Sequence, residues 1–296
     1  MQAKRFESNP IITPAMLSGD DGSNINGPSL IRAPDWLPDR LGEYYLYFAH
    51  HNGQYIRLAF ADDLAGPWRV HEPGTLRLDQ CPCQRHVASP DVHIDDSARE
   101  IRMYYHGCRY ADDGKTVRQF TFLAGSTDGV NFANRTDVLG DFYFRVFRYG
   151  GWQYAYCLQG KFCRSRDGIE PFADGPRLLR PEGEGCMPRH GAVQLRGDTL
   201  RVFYSRWGDC PERILMSEID LRGDWMDWKS SDPVTVLSPD MDYEGAGEPH
   251  EASSRGKVMG PAWQLRDPAI YEEDGHTYLL YSVAGEQGIA IAELVE

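Results

Sequence analysis

One phrase recurs along this chain and limits its fold more than any other feature. It runs as a polar loop, a short apolar strand, a turn carrying Asp or Gly, and then an aromatic strand rich in Tyr. The first copy is Gly27-Pro28-Ser29-Leu30-Ile31 followed by Glu43-Tyr44-Tyr45-Leu46-Tyr47-Phe48. The second reads Ser89-Pro90-Asp91-Val92-His93-Ile94, then Ile101-Arg102-Met103-Tyr104-Tyr105-His106. The third, with the weakest pattern, is Phe144-Arg145-Val146-Phe147 and Trp152-Gln153-Tyr154-Ala155-Tyr156. The fourth is His190-Gly191-Ala192-Val193-Gln194-Leu195 and Leu200-Arg201-Val202-Phe203-Tyr204-Ser205. The fifth is Arg266-Asp267-Pro268-Ala269-Ile270-Tyr271 and Thr277-Tyr278-Leu279-Leu280-Tyr281-Ser282.

Each phrase predicts two strands joined by a tight turn, because β-branched and aromatic runs are bounded by Gly and Asp. A further short strand follows several hairpins, as in Ile56-Arg57-Leu58-Ala59-Phe60, Thr121-Phe122-Leu123-Ala124 and Ile289-Ala290-Ile291-Ala292. Many of these lead into an Asp turn such as Ser126-Thr127-Asp128-Gly129 or Ser165-Arg166-Asp167-Gly168. Copies lie roughly 45–80 residues apart, a spacing that suits four-stranded propeller blades. No segment keeps a helical period; the best candidate, Ile219 to Trp228, is short and contains Gly223. The expected fold is therefore all-β, a single five-bladed β-propeller over 1–296. A β-sandwich of similar strand count is the alternative, and the repetition of the whole phrase favours the propeller.

Charge narrows the partners. The chain has 44 acidic and 31 basic residues, a net charge of −13. A field of that sign repels phosphate backbones, so no nucleic-acid partner is expected. No run of 18 apolar residues marks a membrane span. The N-terminus lacks the apolar stretch of a secretory signal. Seven scattered cysteines form no disulfide framework, so a cytoplasmic location is expected. Cys81-Pro82-Cys83 has no matching Cys or His pair at zinc-finger spacing, and no metal site is expected there.

Ser89-Pro90-Asp91 and Arg266-Asp267-Pro268, each opening a blade, together with Leu64-Ala65-Gly66-Pro67-Trp68, resemble the five-bladed propeller glycosidases. These are the arabinanase/β-xylosidase, invertase and anhydrogalactosidase types. The resemblance implies carboxylates at the starts of innermost strands around an axial funnel. It implies one Asp from the first blade as base or nucleophile, a second-blade Asp that tunes and positions, and a later Glu as acid. Asp91 matches the second-blade position. The first blade opens Ser23-Asn24-Ile25-Asn26-Gly27-Pro28, with Asn26 where Asp is expected, and Asn cannot take a proton.

Glycosidic cleavage needs one protonated and one ionised group on opposite sides of the bond. The candidates are Asp91 and Asp267, both beside Pro at what reads as one repeat phase, and Glu244 in the acidic loop 242–251, favoured as general acid. Glu182 and Glu184 are a rival source of that acid. Arg189-His190 occupies the corresponding phase of blade four, and His190 is a second candidate acid, as the anhydrogalactosidase type implies, or a ligand of an axial cation or water. Asn26, Arg145, Arg189, Arg266 and Trp207 are candidate substrate contacts, and Trp36 and Trp263 are further stacking candidates. The arginines serve either as ion-pair partners of the carboxylates or as bidentate ligands of a uronate or sulfate. The expected function is a glycoside hydrolase releasing a terminal sugar from an oligosaccharide or polysaccharide fragment, with no cofactor required. The alternatives are a non-catalytic carbohydrate-binding propeller and a glycoside phosphorylase.

Overall fold

The computed structural model describes residues 1–110, 113–179 and 186–296. The N-terminal strand β1 (Gln2–Arg5) is followed by five four-stranded antiparallel units. Blade one is β2 (Asn26–Arg32), β3 (Tyr44–Ala49), β4 (Arg57–Ala61) and β5 (Arg69–His71). Blade two is β6 (Gln84–Asp95), β7 (Glu100–Tyr110), β8 (Val117–Ser126) and β9 (Ala133–Asn134). Blade three is β10 (Arg145–Tyr149), β11 (Trp152–Cys157), β12 (Lys161–Ser165) and β13 (Ala173–Arg177). Blade four is β14 (Met187–Arg196), β15 (Thr199–Trp207), β16 (Ile214–Asp220) and β17 (Val234–Leu237). Blade five is β18 (Arg266–Glu273), β19 (His276–Ser282) and β20 (Ile289–Val295), completed by β1.

The five hairpins are those anticipated from the repeated phrase; in blade five, Ala269 pairs with Leu280 and Glu273 with His276. Ile219 to Trp228, too short and Gly-broken to be expected as a helix, holds the end of β16 and a short 3-10 turn at Trp225–Asp227. No helix among the described residues is long and apolar enough to cross a membrane.

Alternating apolar residues bury both faces of each blade against its neighbours, giving five apolar clusters, one per seam. Tyrosines of the second strands tie the seams with directed bonds. Tyr47 Oη donates to Gly129 O at 2.7 Å, Tyr104 Oη to Gly168 O at 3.0 Å, and Tyr156 Oη to Arg189 O at 2.7 Å. Asp turns present the first two of those carbonyls, whereas Arg189 O belongs to β14. Asp128 Oδ1 accepts from the amides of Val130 and Asn131, and Asp167 Oδ1 from those of Ile169 and Glu170. Gly168 sits at φ 77°, and a Cβ there would lie 2.5 Å from Tyr104 Oη. The turn therefore needs glycine for both backbone and space.

The ring closes by pairing the two ends of the chain, Gln2 with Val295 through Arg5 with Ala292. Arg5 then reaches Glu244 through Nε at 2.7 Å and Nη2 at 2.9 Å. That clasp ties β1, the outermost strand of blade five, to the loop ahead of β18 and so holds the ring closed.

Candidate active site at the propeller axis

Four of the five innermost strands begin with a β-bulge, and the bulge decides which side chain faces the axis. Pairing skips two residues between Asn26 and Ser29, between Ala88 and Asp91, between Pro188 and Gly191, and between Arg266 and Ala269. Three of these bulges open with a left-handed residue: Gly27 at φ 60°, Ser89 at 49° and Asp267 at 47°. A non-glycine residue held there carries strain of roughly 1–3 kcal/mol, a feature concentrated at functional sites.

The register corrects the expectation that Asp91 and Asp267 are equivalent. Asp267 precedes its proline and aligns with Ser89 and Gly27. Asp91 follows its proline and aligns with Ser29 and Ala269. Ser29 and Asp91 do the same job one blade apart. Ser29 Oγ accepts the amide of Val92 at 2.9 Å, and Asp91 Oδ2 accepts that of Val146 at 2.7 Å. Asp91 also accepts from His93 Nε2 at 2.8 Å. Burial would raise its pKa, but His93, Arg145 and the Val146 amide outweigh it and hold the carboxyl below the usual range. Asp91 is an inter-blade staple, outside the cavity lining. The first blade likewise places Gly27, rather than Asn26, at the bulge position that carries Asp267 in blade five.

A cavity of about 700 Å³ opens at the axis, and Asn26, Arg189, His190, Trp207, Arg266 and Asp267 all line it. Of the expected site residues, Arg145, Asp91 and Glu244 do not. Arg145 lies just behind the wall, buried; its Nη1 donates to Pro90 O at 3.2 Å and Phe144 O at 3.1 Å, and its Nη2 has no partner. Trp36 and Trp263 are elsewhere, donating to Asp96 Oδ1 and Pro239 O.

Glu244 is corrected most sharply. It is fully buried, and besides Arg5 it accepts from Tyr281 Oη at 2.8 Å and the amides of Asp240 and Met241 at 2.9 and 3.1 Å. Every lone pair it would need for chemistry is committed to closing the ring. The rival pair Glu182 and Glu184 lies outside the described residues.

At the centre of the cavity wall, His190 Nδ1 is hydrogen-bonded to Asp267 Oδ1. The second polar atom of each, His190 Nε2 and Asp267 Oδ2, is buried with no partner. Burial would raise the pKa of Asp267, yet His190 and the guanidiniums of Arg266 and Arg189 hold it well below the usual carboxylate range. Burial pushes His190 below the usual histidine range, and Asp267 offsets part of that shift. The resting pair is thus carboxylate and neutral imidazole, with Nδ1–H donating to Asp267 and the Nε2 lone pair left over. The Tyr143 ring packs edge-on against the His190 ring, centroids 3.4 Å apart.

Behind this pair lies a charge network that the sequence did not disclose. Glu212 is fully buried and meets Arg189 Nε at 2.7 Å, Arg266 Nε at 3.4 Å and Ser205 Oγ at 2.6 Å. Glu286, on the cavity wall, meets Arg266 Nη1 at 3.2 Å and His51 Nδ1 at 3.5 Å, and accepts from Asn24 Nδ2. Asn26 Nδ2 donates to Asn24 Oδ1 at 2.9 Å, joining the chain. Glu212 and Glu286 both sit in connections between a second and a third strand, and acidic residues at that recurring place were the signal available. A further cluster, His86 and His106 with Nε2 atoms 3.2 Å apart, lines the adjoining wall, and burial lowers the pKa of both. No three His, Cys, Asp or Glu side chains among the described residues are grouped to hold a metal ion. With Arg145, Arg189 and Arg266 acting on the His190–Asp267 pair, the setting does not suit an axial cation.

Comparison with known proteins agrees with this architecture. No protein-family model matches the chain. A putative glycosidase from Bacteroides thetaiotaomicron superposes with a TM-score of 0.67 at 14% identity, covering 98% of this chain and 96% of that one. A family-43 β-xylosidase/α-arabinofuranosidase from a compost microbial metagenome, solved with xylotriose, gives 0.66 at 13% identity, covering 99% and 96%. These likenesses establish the fold. An uncharacterized protein, R118, of Acanthamoeba polyphaga mimivirus is 36% identical over 98% of this chain and 89% of its own length. The chain therefore belongs to one family with that mimivirus protein, built on the five-bladed propeller of the family-43 glycoside hydrolases.

Proposed function

We propose that this protein is a glycosidase that releases a terminal sugar at the axial cavity, with His190 as the proton-transferring group and Asp267 as its orienting partner. One observation carries the reading: His190 Nε2 is buried, unpartnered and on the wall of the axial cavity, while Nδ1 is fixed by an ionised carboxylate. An imidazole held this way takes a proton from a water or hydroxyl placed against Nε2, and Asp267 stabilises the imidazolium that forms. This revises the expected chemistry, which relied on two carboxylates and on His190 as acid. Glu182 or Glu184, ahead of β14 in sequence, is assigned as the donor to the leaving oxygen, on chain position alone. No cofactor enters these steps.

A non-catalytic sugar-binding propeller is the second reading, favoured by Gly27 standing in blade one where blade five carries Asp267. A panel of aryl glycosides, assayed with and without inorganic phosphate, separates the readings. Turnover without phosphate, lost in His190→Gln, is the expected result. Sugar binding with no turnover on any glycoside leaves the binding module, and strict phosphate dependence leaves a phosphorylase.

A further inference from the structure

We propose that the cavity selects a sugar bearing a negative charge, a carboxylate or an ester sulfate, through Arg85 and Arg255; this rests on the cavity being a sugar site. Acidic residues outnumber basic ones by 44 to 31 in the chain. The cavity reverses that balance, for its described lining has four arginines, Arg85, Arg189, Arg255 and Arg266, against two carboxylates, Asp267 and Glu286.

The four arginines divide into two kinds. Arg189 and Arg266 are committed. Arg189 serves Glu212 and the carbonyls of Gly256 and Ser254, and Arg266 serves Glu212, Glu286, Gln264 and Gly256. Both balance buried carboxylates as ion-pair partners. Arg85 and Arg255 have no hydrogen-bonded or ion-paired side-chain partner among the described residues, although both are exposed in a chain with surplus acid.

Both are nonetheless placed. Arg85 sits at φ 81° within a bulge between Gln84 and Val87, and its carbonyl accepts from Gln54 Nε2 at 2.9 Å. Arg255 lies over the Trp207 ring, 5.8 Å from its centroid, beside Arg189 at 5.7 Å. Stacking fixes the plane of a guanidinium while leaving its N–H edge for a bidentate anion. A neutral sugar would leave these exposed guanidiniums to water, whereas an anionic sugar would pair with them from within the same cavity and set its ring against Trp207 and His190.

The test is titration calorimetry on the whole protein with galacturonate, glucuronate, galactose 6-sulfate, glucose 6-phosphate, inorganic phosphate, and neutral galactose and glucose. The expected result is at least about tenfold tighter binding of an acidic sugar than of its neutral parent, weakening as salt is added. The winning probe identifies the charged group. Arg85→Gln and Arg255→Gln should each collapse the acidic-to-neutral ratio by about tenfold, with thermal unfolding midpoints reporting that the variants are folded. Neutral sugars binding as tightly as acidic ones, no binding by any acidic sugar, an unchanged ratio in both variants, or inorganic phosphate matching the best sugar acid would each overturn the inference. Turnover of aryl glycosides without acid preference sinks this inference alone. Acid-selective binding without turnover sinks only the hydrolytic reading.

Discussion

Asp267 and Glu244 make an instructive pair. Both are buried carboxylates near the start of blade five, and each is joined to a basic side chain far away in sequence. Glu244 has its oxygens filled by a guanidinium, a tyrosine hydroxyl and two amides, and it faces a seam. Asp267 keeps Oδ2 unpartnered, holds a histidine whose Nε2 is also unpartnered, and faces a cavity. Burial and ion pairing are common to both, so neither marks chemistry. The incomplete hydrogen-bonding of the second pair does, because an unmet buried polar atom costs about 1–3 kcal/mol unless a ligand meets it.

The sharpest way to break this contrast is at His190. His190→Gln keeps a donor for Asp267 but cannot carry a proton, and turnover should fall about 10³-fold with little change in the urea unfolding midpoint. A variant that stays active would remove His190 from the chemistry. Glu244→Gln should do the reverse. It takes from Arg5 its buried counter-charge, leaving only the exposed Asp240 at 3.6 Å, and should cost about 3 kcal/mol of stability in urea unfolding, with kcat per folded molecule unchanged. A selective loss of kcat there would restore Glu244 as the acid.

Asp267→Asn tests the link within the active pair, and turnover at neutral pH should drop about 10²-fold. The carboxylate raises the pKa of His190 against burial, so losing it should move the acid limb of the kcat/KM profile to lower pH. In the parent protein that limb should fall below the ordinary histidine value, since the base is the neutral imidazole. A limb moving upward in the variant would contradict the assignment.

Asp91→Ala is the mildest probe. Loss of one inter-blade acceptor should cost about 1–2 kcal/mol in thermal or urea unfolding, with KM unchanged. The folded pKa of Asp91 lies below its unfolded value, so its contribution to stability is present above that value and lost as pH falls through the folded one. The variant should show a correspondingly shallower acid destabilisation. A large rise in KM would return Asp91 to the substrate.

The blades were legible in the sequence because each is a local unit. A continuous apolar run such as Leu279-Leu280-Tyr281, buried on both faces, and a Gly-bearing turn are enough to specify a hairpin, and even the weak third copy pairs as expected, Arg145 with Tyr156. His190 and Asp267 were within reach for the same reason, since both open inner strands. Asp91 was misjudged because standing beside proline looked like a shared phase: Pro90 and Pro268 do align at the bulge, but Asp91 follows its proline and Asp267 precedes its own, two positions apart in register. Glu244 was misjudged because Arg5, its partner, stands 239 positions away. Glu212 and Glu286 escaped notice because their shared place between a second and a third strand is the one signal they carry, and their immediate neighbours read as a solvated loop.

By itself the sequence determined five hairpin modules and the ends of them that converge, since strand and turn preferences act over a few neighbouring residues. Only the tertiary structure decided which acids meet arginines, which stay open to the cavity and which clasp the ring. Those outcomes depend on bulge register and on closure between the first and last strands, and a charge is satisfied by whatever the folded ring brings beside it.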